Sequence, residues 1–257
     1  MNTLHKIGER ALIARLNRIL PSGRNVVVGI GDDCAVVRSP SDRRFDLVLT
    51  SDPVIEGVHF SSGTPPRAIG HKAAGRVLSD LAATGAEPMW ALVDLVAPPS
   101  VRVNRIEGIY RGMADLSSRH GLAIVGGDTA AGERLGLHVF AAGRVPRGRA
   151  ILRGGARVGD AIFVTGSLGG SIAGRHLRFE PRVEQGTWLM KGGWASAMID
   201  LSDGLASDLA RLAGMSRAGA LIEARALPVS AEAVRADAGR TALEHALFDG
   251  EDYELLF

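Results

Sequence analysis

The chain has 257 residues, 30 Lys+Arg against 28 Asp+Glu for a formal charge of +2, and one Cys. This near-neutral balance, with no block of five like charges, leaves no electrostatic footprint for nucleic acid. No apolar run approaches a membrane span. A single Cys excludes an intrachain disulfide.

With 46% apolar and 23% charged residues, the composition is that of a globular protein with room for one large or two modest domains. Lys6, Glu9, Arg10, Arg15 and Arg18 interrupt the first apolar stretch, which therefore lacks the core of a secretory signal. A cytoplasmic setting is expected. The 33 glycines are well above the usual ~7%, which predicts many tight turns or close backbone approaches.

Leu12, Ile13, Leu16, Ile19 and Leu20 fall at helical spacing, and Pro21 ends that run. Residues 25–30 and 45–50 read as strands, with a further one over 54–60. Ile69, Ala73, Val77, Leu78 and Leu81 predict a helix over 66–85 that Gly85 can end. A strand over 89–96, a helix over 101–120 and strands over 122–125 and 137–145 follow. The Gly- and Arg-rich stretch 145–160 lacks periodicity, so a boundary is placed near Gly148, giving units 1–148 and 149–257. Beyond it come a strand over 161–165, helices near 171–178 and 183–191, a strand over 197–201, a helix over 204–212 and a strand over 220–223. Strands alternating with helices predict an α/β fold, or α+β layers, in both halves.

One pattern recurs. Apolar runs end in Asp32-Asp33, Asp52, Asp128 and Asp200…Asp203, and Asp80 sits among apolar neighbours in the second helix. Each carboxylate alone reads as a turn or cap residue. Together, if the strands share one sheet edge, they converge and repel unless a hard cation lies between them. Oxygen ligands without a His/Cys cluster favour Mg²⁺, which commonly serves substrate phosphates.

Other motifs narrow the chemistry. None of the three lysines stands in a Walker A sequence. Gly29-Ile-Gly31 lacks the third glycine of a dinucleotide fingerprint, and Ala35-Val-Val37 reads as strand. Thr165-Gly-Ser-Leu-Gly-Gly170-Ser171 could cradle a phosphate or be a plain turn. Arg153 could steady a polyphosphate or simply be a solvated linker residue. His59, a lone His on an expected strand, reads more readily as a hydrogen-bonded structural residue than as a ligand. Cys34, with acidic neighbours that raise its pKa, reads as a small buried residue.

Gly29-Ile-Gly-Asp-Asp-Cys-Ala-Val-Val37, Thr50-Ser-Asp-Pro-Val-Ile-Glu-Gly-Val-His-Phe60 and Lys72…Leu78-Ser-Asp-Leu-Ala-Ala-Thr-Gly-Ala86 resemble the thiamine-monophosphate kinase family. So do Gly126-Gly-Asp-Thr129, Val164-Thr-Gly166, Ile199-Asp-Leu-Ser-Asp-Gly-Leu205 and Gly250-Glu-Asp-Tyr-Glu-Leu-Leu-Phe257. The resemblance covers nearly the whole chain in the family's order. It implies the two-domain architecture of the aminoimidazole ribonucleotide synthetase-like superfamily, with an N-terminal ATP/Mg-binding domain that forms a homodimer through its sheet. It also implies ATP-dependent phosphorylation of thiamine monophosphate with several Mg²⁺ ions.

Carried over position by position, Asp33, Thr50, Ser51, Asp52, Asp80, Asp128, Asp200 and Asp203 match metal-binding positions. Gly127, Asp128, Arg153 and Ser202 match ATP contacts, and His59 and Glu251 match substrate contacts. Asp32 is then the less direct of its pair. The acceptor is an ionised phosphate monoester, so no acid or base is assigned.

The chain departs from the family's pattern at three points. Val77 stands where the family commonly has Asn, and Asp249 where it has Gly. The family continues beyond the position of Phe257, so the C-terminal α/β domain is expected to be incomplete. Another ATP-dependent kinase or synthetase of the superfamily, or a Mg–nucleotide-binding homologue without turnover, stays open as an alternative.

Overall fold

The computed structural model describes residues 4–20, 23–236 and 239–257. Pro21, expected to end the first helix, lies outside them. The first helix, α1 (Leu4–Ile19), is broken at Gly8, where φ is 71°. A six-stranded mixed sheet follows: β1 (Val26–Val28), β2 (Ala35–Arg38), β3 (Phe45–Ile55), β4 (Glu87–Ala97), β5 (Ala123–Ala131) and β6 (Gly136–Pro146). Its spatial order is β1-β2-β3-β6-β4-β5. All neighbours are antiparallel except β4 and β5. Parallel strands need a crossover, supplied here by α3 (Val103–Arg119).

β3 runs past the expected residue 50 because it pairs with β6 along its whole length, from Phe45↔Pro146 to Ile55↔Gly136. The strand expected over 54–60 is instead a turn after Ile55. The Gly57 N–H donates to the Phe60 carbonyl at 2.8 Å, and the Ile55 N–H donates to Nδ1 of His59 at 3.1 Å.

α2 (Pro66–Ala83) begins on a proline, whose missing N–H costs nothing in a first turn. It ends where Gly85 turns with φ 72°. α2 and α3 pack on one face of the sheet, burying Val48, Val54, Val93, Leu95, Val139 and Ala141. The two helices touch backbone to backbone. A Cβ on Gly70 would lie 1.8 Å from the Ile109 carbonyl oxygen, and one on Gly112 would lie 2.0 Å from that of Arg67. The opposite sheet face leaves Trp90, Leu92 and Phe140 exposed.

The remainder contains α4 (Val183–Gly192), β7 (Ile199–Asp200), α5 (Leu205–Ser216), α6 (Ala231–Arg235), α7 (Ala242–Phe248) and β8 (Leu255–Leu256). β7 and β8 form a two-stranded antiparallel sheet. The segment expected as a strand over 161–165 joins it through a Val164–Leu256 bridge, a reciprocal pair of hydrogen bonds between Phe163 and Phe257, and a Thr165 N–H bond to the Leu255 carbonyl at 3.1 Å. Residues 171–178 form two 3₁₀ turns, Ser171–Ala173 and Arg175–Leu177. Residues 220–223 carry no ladder and lead into a third, Ala224–Ala226.

Two cores result. The larger is centred on α2 and the sheet, yet it draws Val183, Leu189, Met190, Met198 and Leu255 from beyond residue 148. The smaller packs Leu168, Ile199, Leu201, Leu205, Leu209 and Leu256. No helix among the described residues is long and apolar enough to cross a membrane.

Candidate active site

Lys72, Arg76 and Asp80 recur every four residues along α2 and therefore share one helix face. Asp80 accepts a short hydrogen bond from the hydroxyl of Thr50 on β3. Arg76 Nη2 donates to Asp52 Oδ1 at 2.8 Å, again on β3. Ser79 Oγ, beside Asp80, donates to Asp200 Oδ2 on β7 at 2.7 Å. Asp33 lies in the turn between β1 and β2. It brings a carboxylate oxygen to the same point, so that Asp33, Asp80 and Asp200 each offer one oxygen within 4.8 Å of the others.

The carboxylates do converge, but not along one sheet edge. Asp52 lies within β3, Asp80 on a helix and Asp200 in the smaller sheet. α2, lodged between the two sheets, gathers them.

Three carboxylates this close are electrostatically frustrated. Burial, and then the charge of Asp200, push Asp33 up to about 8 against the opposing guanidinium of Arg153. Burial followed by Asp52, Asp200 and Asp33 pushes Asp80 well above the carboxylate range. Burial also raises Asp200, with the Ser79 hydrogen bond opposing. Asp33 has a side chain only 1% exposed, and its Oδ2 is buried without a hydrogen-bond partner. An orphaned buried oxygen within an oxygen-only donor set fits a hard divalent cation, and Mg²⁺ matches that chemistry. Cys34, pushed well up by burial and by Asp80 and Asp33, stays a protonated core thiol.

Arg153 closes one end of the cluster. Its Nη2 lies 2.5 Å from Asp33 Oδ1. Its backbone N–H donates to Asp32, which also accepts the Asp33 N–H at 3.0 Å. Asp32 thus organises the turn, and Asp33 points into the cluster.

At the other end of the helix face, Lys72 is fully buried. Its Nζ reaches Glu251 Oε2 at 2.6 Å and donates to the His59 carbonyl at 2.8 Å. It also lies 2.8 Å from His176 Nδ1. Burial alone would raise Glu251, but hydrogen bonds from His176 and Lys72 hold its carboxyl down at about 2. Burial, then the charges of Arg76 and Lys72, lower His59. Because His59 Nδ1 accepts the Ile55 N–H, the neutral ring carries its proton on Nε2.

The remaining expected residues lie further out. Asp128 is exposed on β5, where its N–H donates to Asp94 Oδ1 at 3.0 Å. The neighbouring Gly127 has φ 147°, and a Cβ there would lie 1.9 Å from the Val93 carbonyl oxygen. Ser51 points to the open face of β3. Asp203 is ion-paired with Arg211, and the Ser202 carbonyl accepts the Glu251 N–H at 2.8 Å. Asp128 and Asp203 are outside the group of three.

The Gly-rich turn after residue 165 spends its amides internally. The Gly169 N–H donates to Asp252 and the Gly170 N–H to Asp249. Asp249 therefore anchors this turn. Val77 lies fully buried in the larger core. Sequence reasoning assigned no role to Arg76, His176 or Arg211. For Arg76 the available signal was its four-residue spacing between Lys72 and Asp80 along α2. An apolar cavity of about 670 Å³ near Leu209, Leu221 and Phe257 touches none of the expected site residues.

Residues 31–145 match the family model of the AIR synthase related protein, N-terminal domain. The thiamine-monophosphate kinase of Rhodopirellula baltica is 40% identical over 258 residues, covering 97% of this chain and 81% of the relative. The chain belongs to the thiamine-monophosphate kinase family. The enzyme of that name from Escherichia coli K12 is 39% identical over 275 residues, with 97% of this chain and 82% of the relative covered. The structure of AaThiL complexed with AMPPCP and TMP is 35% identical. It superposes with a TM-score of 0.90, covering 100% of this chain and 86% of that one. Family membership agrees with the ordered motifs and with the superfamily architecture expected of them.

Proposed function

We propose that this chain transfers the γ-phosphoryl group of ATP to thiamine monophosphate, giving thiamine diphosphate and ADP. The observation that carries the reading is the buried Asp33–Asp80–Asp200 cluster with its orphaned oxygen. It shares a helix face with the Lys72–Glu251 pair. AMPPCP and TMP, held together by the 35% identical AaThiL, support ATP as donor and thiamine monophosphate as acceptor.

In this reading Asp33, Asp52, Asp80 and Asp200 hold Mg²⁺, with Thr50, Ser51, Asp128 and Asp203 as further ligands. Gly127, Asp128, Arg153 and Ser202 contact the nucleotide. When bound, Mg²⁺ neutralises and aligns the phosphate oxygens of the donor. Arg153 adds a fixed positive charge at the same end. His59, neutral and with its proton on Nε2, donates to the acceptor, and Glu251 fixes the acceptor's far end. An acceptor phosphate oxygen attacks the γ-phosphorus as the bond to the β-phosphate oxygen breaks, and ADP leaves with the electron pair. The attacking oxygen is already ionised, so no base is needed and none is assigned.

The division at residue 148, a cytoplasmic setting and a homodimer belong to this reading. The open sheet face with Trp90, Leu92 and Phe140 supports the dimer. A monomer in sedimentation at micromolar concentration would overturn that part. The main test is thiamine diphosphate formation by the purified protein with ATP, Mg²⁺ and thiamine monophosphate. A substrate panel read by ADP release identifies a different acceptor. ATP binding without ADP formation by any acceptor sinks the reading.

A further inference from the structure

We infer that Lys72 is a positioning residue that sets the distance between acceptor and metal cluster, acting through Glu251 and the His59 turn. The inference rests on the phosphoryl-transfer reading above and adds a residue to which that reading gives no role.

Lys72 is fully buried; its ammonium donates to the His59 carbonyl and the Glu251 carboxylate, and it lies 2.8 Å from His176 Nδ1, which itself donates to Glu251. A buried ammonium is expensive to desolvate unless it is paired and hydrogen-bonded, as it is here. Three separate segments meet at this ammonium: the turn carrying His59, the loop carrying Glu251 and, through the Glu251 carboxylate, the 3₁₀ turn carrying His176. Burial lowers the ammonium from its ordinary value, and the Glu251 carboxylate opposes that shift.

The Glu251 loop has little freedom of its own. Glu251 and Tyr253 both adopt left-handed backbone, φ 63° and 52°, uncommon for residues other than glycine. The Glu251 N–H is bonded to Ser202, and its carbonyl accepts the Ser171 hydroxyl at 2.7 Å. Tyr253 stacks on Phe179 with ring centroids 4.1 Å apart. The backbone thus aims the Glu251 side chain at Lys72.

Lys72 and Asp80 are eight residues apart on one continuous helix, a rise of about 12 Å. The acceptor contacts are fastened at one end of this span and the carboxylate cluster at the other. Arg76, midway, pins the same face to Asp52 at 2.8 Å. The helix acts as a ruler, and Lys72 is the fastening at its acceptor end.

The test is a double-mutant cycle of Lys72→Met and Glu251→Gln, with Michaelis constants measured for both substrates and wild-type turnover of thiamine monophosphate as reference. Lys72→Met should raise the KM for thiamine monophosphate about 10- to 100-fold, while the KM for ATP changes less than about twofold. Added to Glu251→Gln, it should raise the acceptor KM by clearly less than it does alone, because part of its effect passes through Glu251 and the rest through the His59 turn. Lys72→Arg, which keeps the charge, should recover part of the loss. It carries the same test if Lys72→Met lacks a cooperative melt.

An unchanged acceptor KM, equal losses for both substrates, or effects of the two substitutions that multiply would each overturn the proposal while leaving the kinase reading intact. No turnover of thiamine monophosphate by the wild type overturns both.

Discussion

The guanidinium of Arg153 stands 2.5 Å from the Asp33 carboxylate and supplies positive charge to a cluster that is otherwise acidic. Arg153 reaches it from beyond residue 148, while Asp33 belongs to the first β-turn of the sheet. The ion pair therefore ties the two halves of the chain at the place where a nucleotide's charge is expected.

Replacing Arg153 with Gln should weaken donor binding selectively. The KM for ATP should rise about tenfold, the loss of one charge-assisted contact, with the KM for thiamine monophosphate within about twofold of wild type. Steady-state kinetics with each substrate varied in turn decides this. An effect confined to the acceptor would move Arg153 out of the ATP site.

Asp80→Asn removes one of three mutually repelling carboxylates. In metal-free buffer the variant should melt at or above the wild-type temperature, because repulsion and desolvation are both relieved. Turnover should nevertheless fall at least about 10³-fold, and the thermal shift produced by Mg²⁺ should disappear. Calorimetry with and without Mg²⁺, beside an activity assay, measures both. A variant that still gains stability from Mg²⁺ argues against the metal assignment.

Glu251 gives the pH dependence. Its folded value of about 2 lies below the ordinary 4.5, so the folded state favours the charged form. The stabilisation is fully present above pH 4.5 and is lost as pH falls through about 2. Glu251→Gln should lower stability at neutral pH by about 3 kcal/mol, with the gap to wild type closing below pH 4.5. Urea denaturation of both proteins across this range checks it. A pH-independent gap would mean that Glu251 stabilises through packing instead.

Gly70→Ala tests the helix crossing without reference to function. Its Cβ would meet the Ile109 carbonyl oxygen at 1.8 Å. Backbone cannot yield as a flexible side chain can, so a loss of about 3 kcal/mol is expected. Gly63→Ala, with nothing within 4 Å, should stay within about 0.5 kcal/mol of wild type. Similar melts for the two variants would show that the helices can separate at little cost.

The parts of the fold legible in the sequence are those fixed by local pattern. α2 begins on its proline and turns at Gly85 because both signals act within one helical turn. The central strands emerged because one face of each is buried against α2 and α3. Residues 161–165 and 220–223 have similar apolar content, but one runs beside the smaller sheet with a single bridge and a few backbone bonds, and the other leads into a 3₁₀ turn. In both, tertiary context outweighed β propensity.

The candidate site divides in the same way. An acid in an apolar setting marked Asp33, Asp80 and Asp200, since each needs a reason to be there. Which of the acids meet depends on α2 lying between two sheets, a relation that spacing along the chain does not encode. Arg76 and His176 drew no attention because their partners, Asp52 and Glu251, are distant in sequence.

The glycine contacts between α2 and α3 bear on how the molecule can move. With carbonyl oxygens seated where side chains would normally stand, α2 can neither roll about its axis nor slide along α3 without steric overlap. It is the fixed element of the site. Any closing over bound substrates would fall to the His176 turn and the Glu251 loop, which meet the α2 face at the Lys72 side chain. In mechanical terms, catalysis would proceed by a light arm closing on a clamped bar.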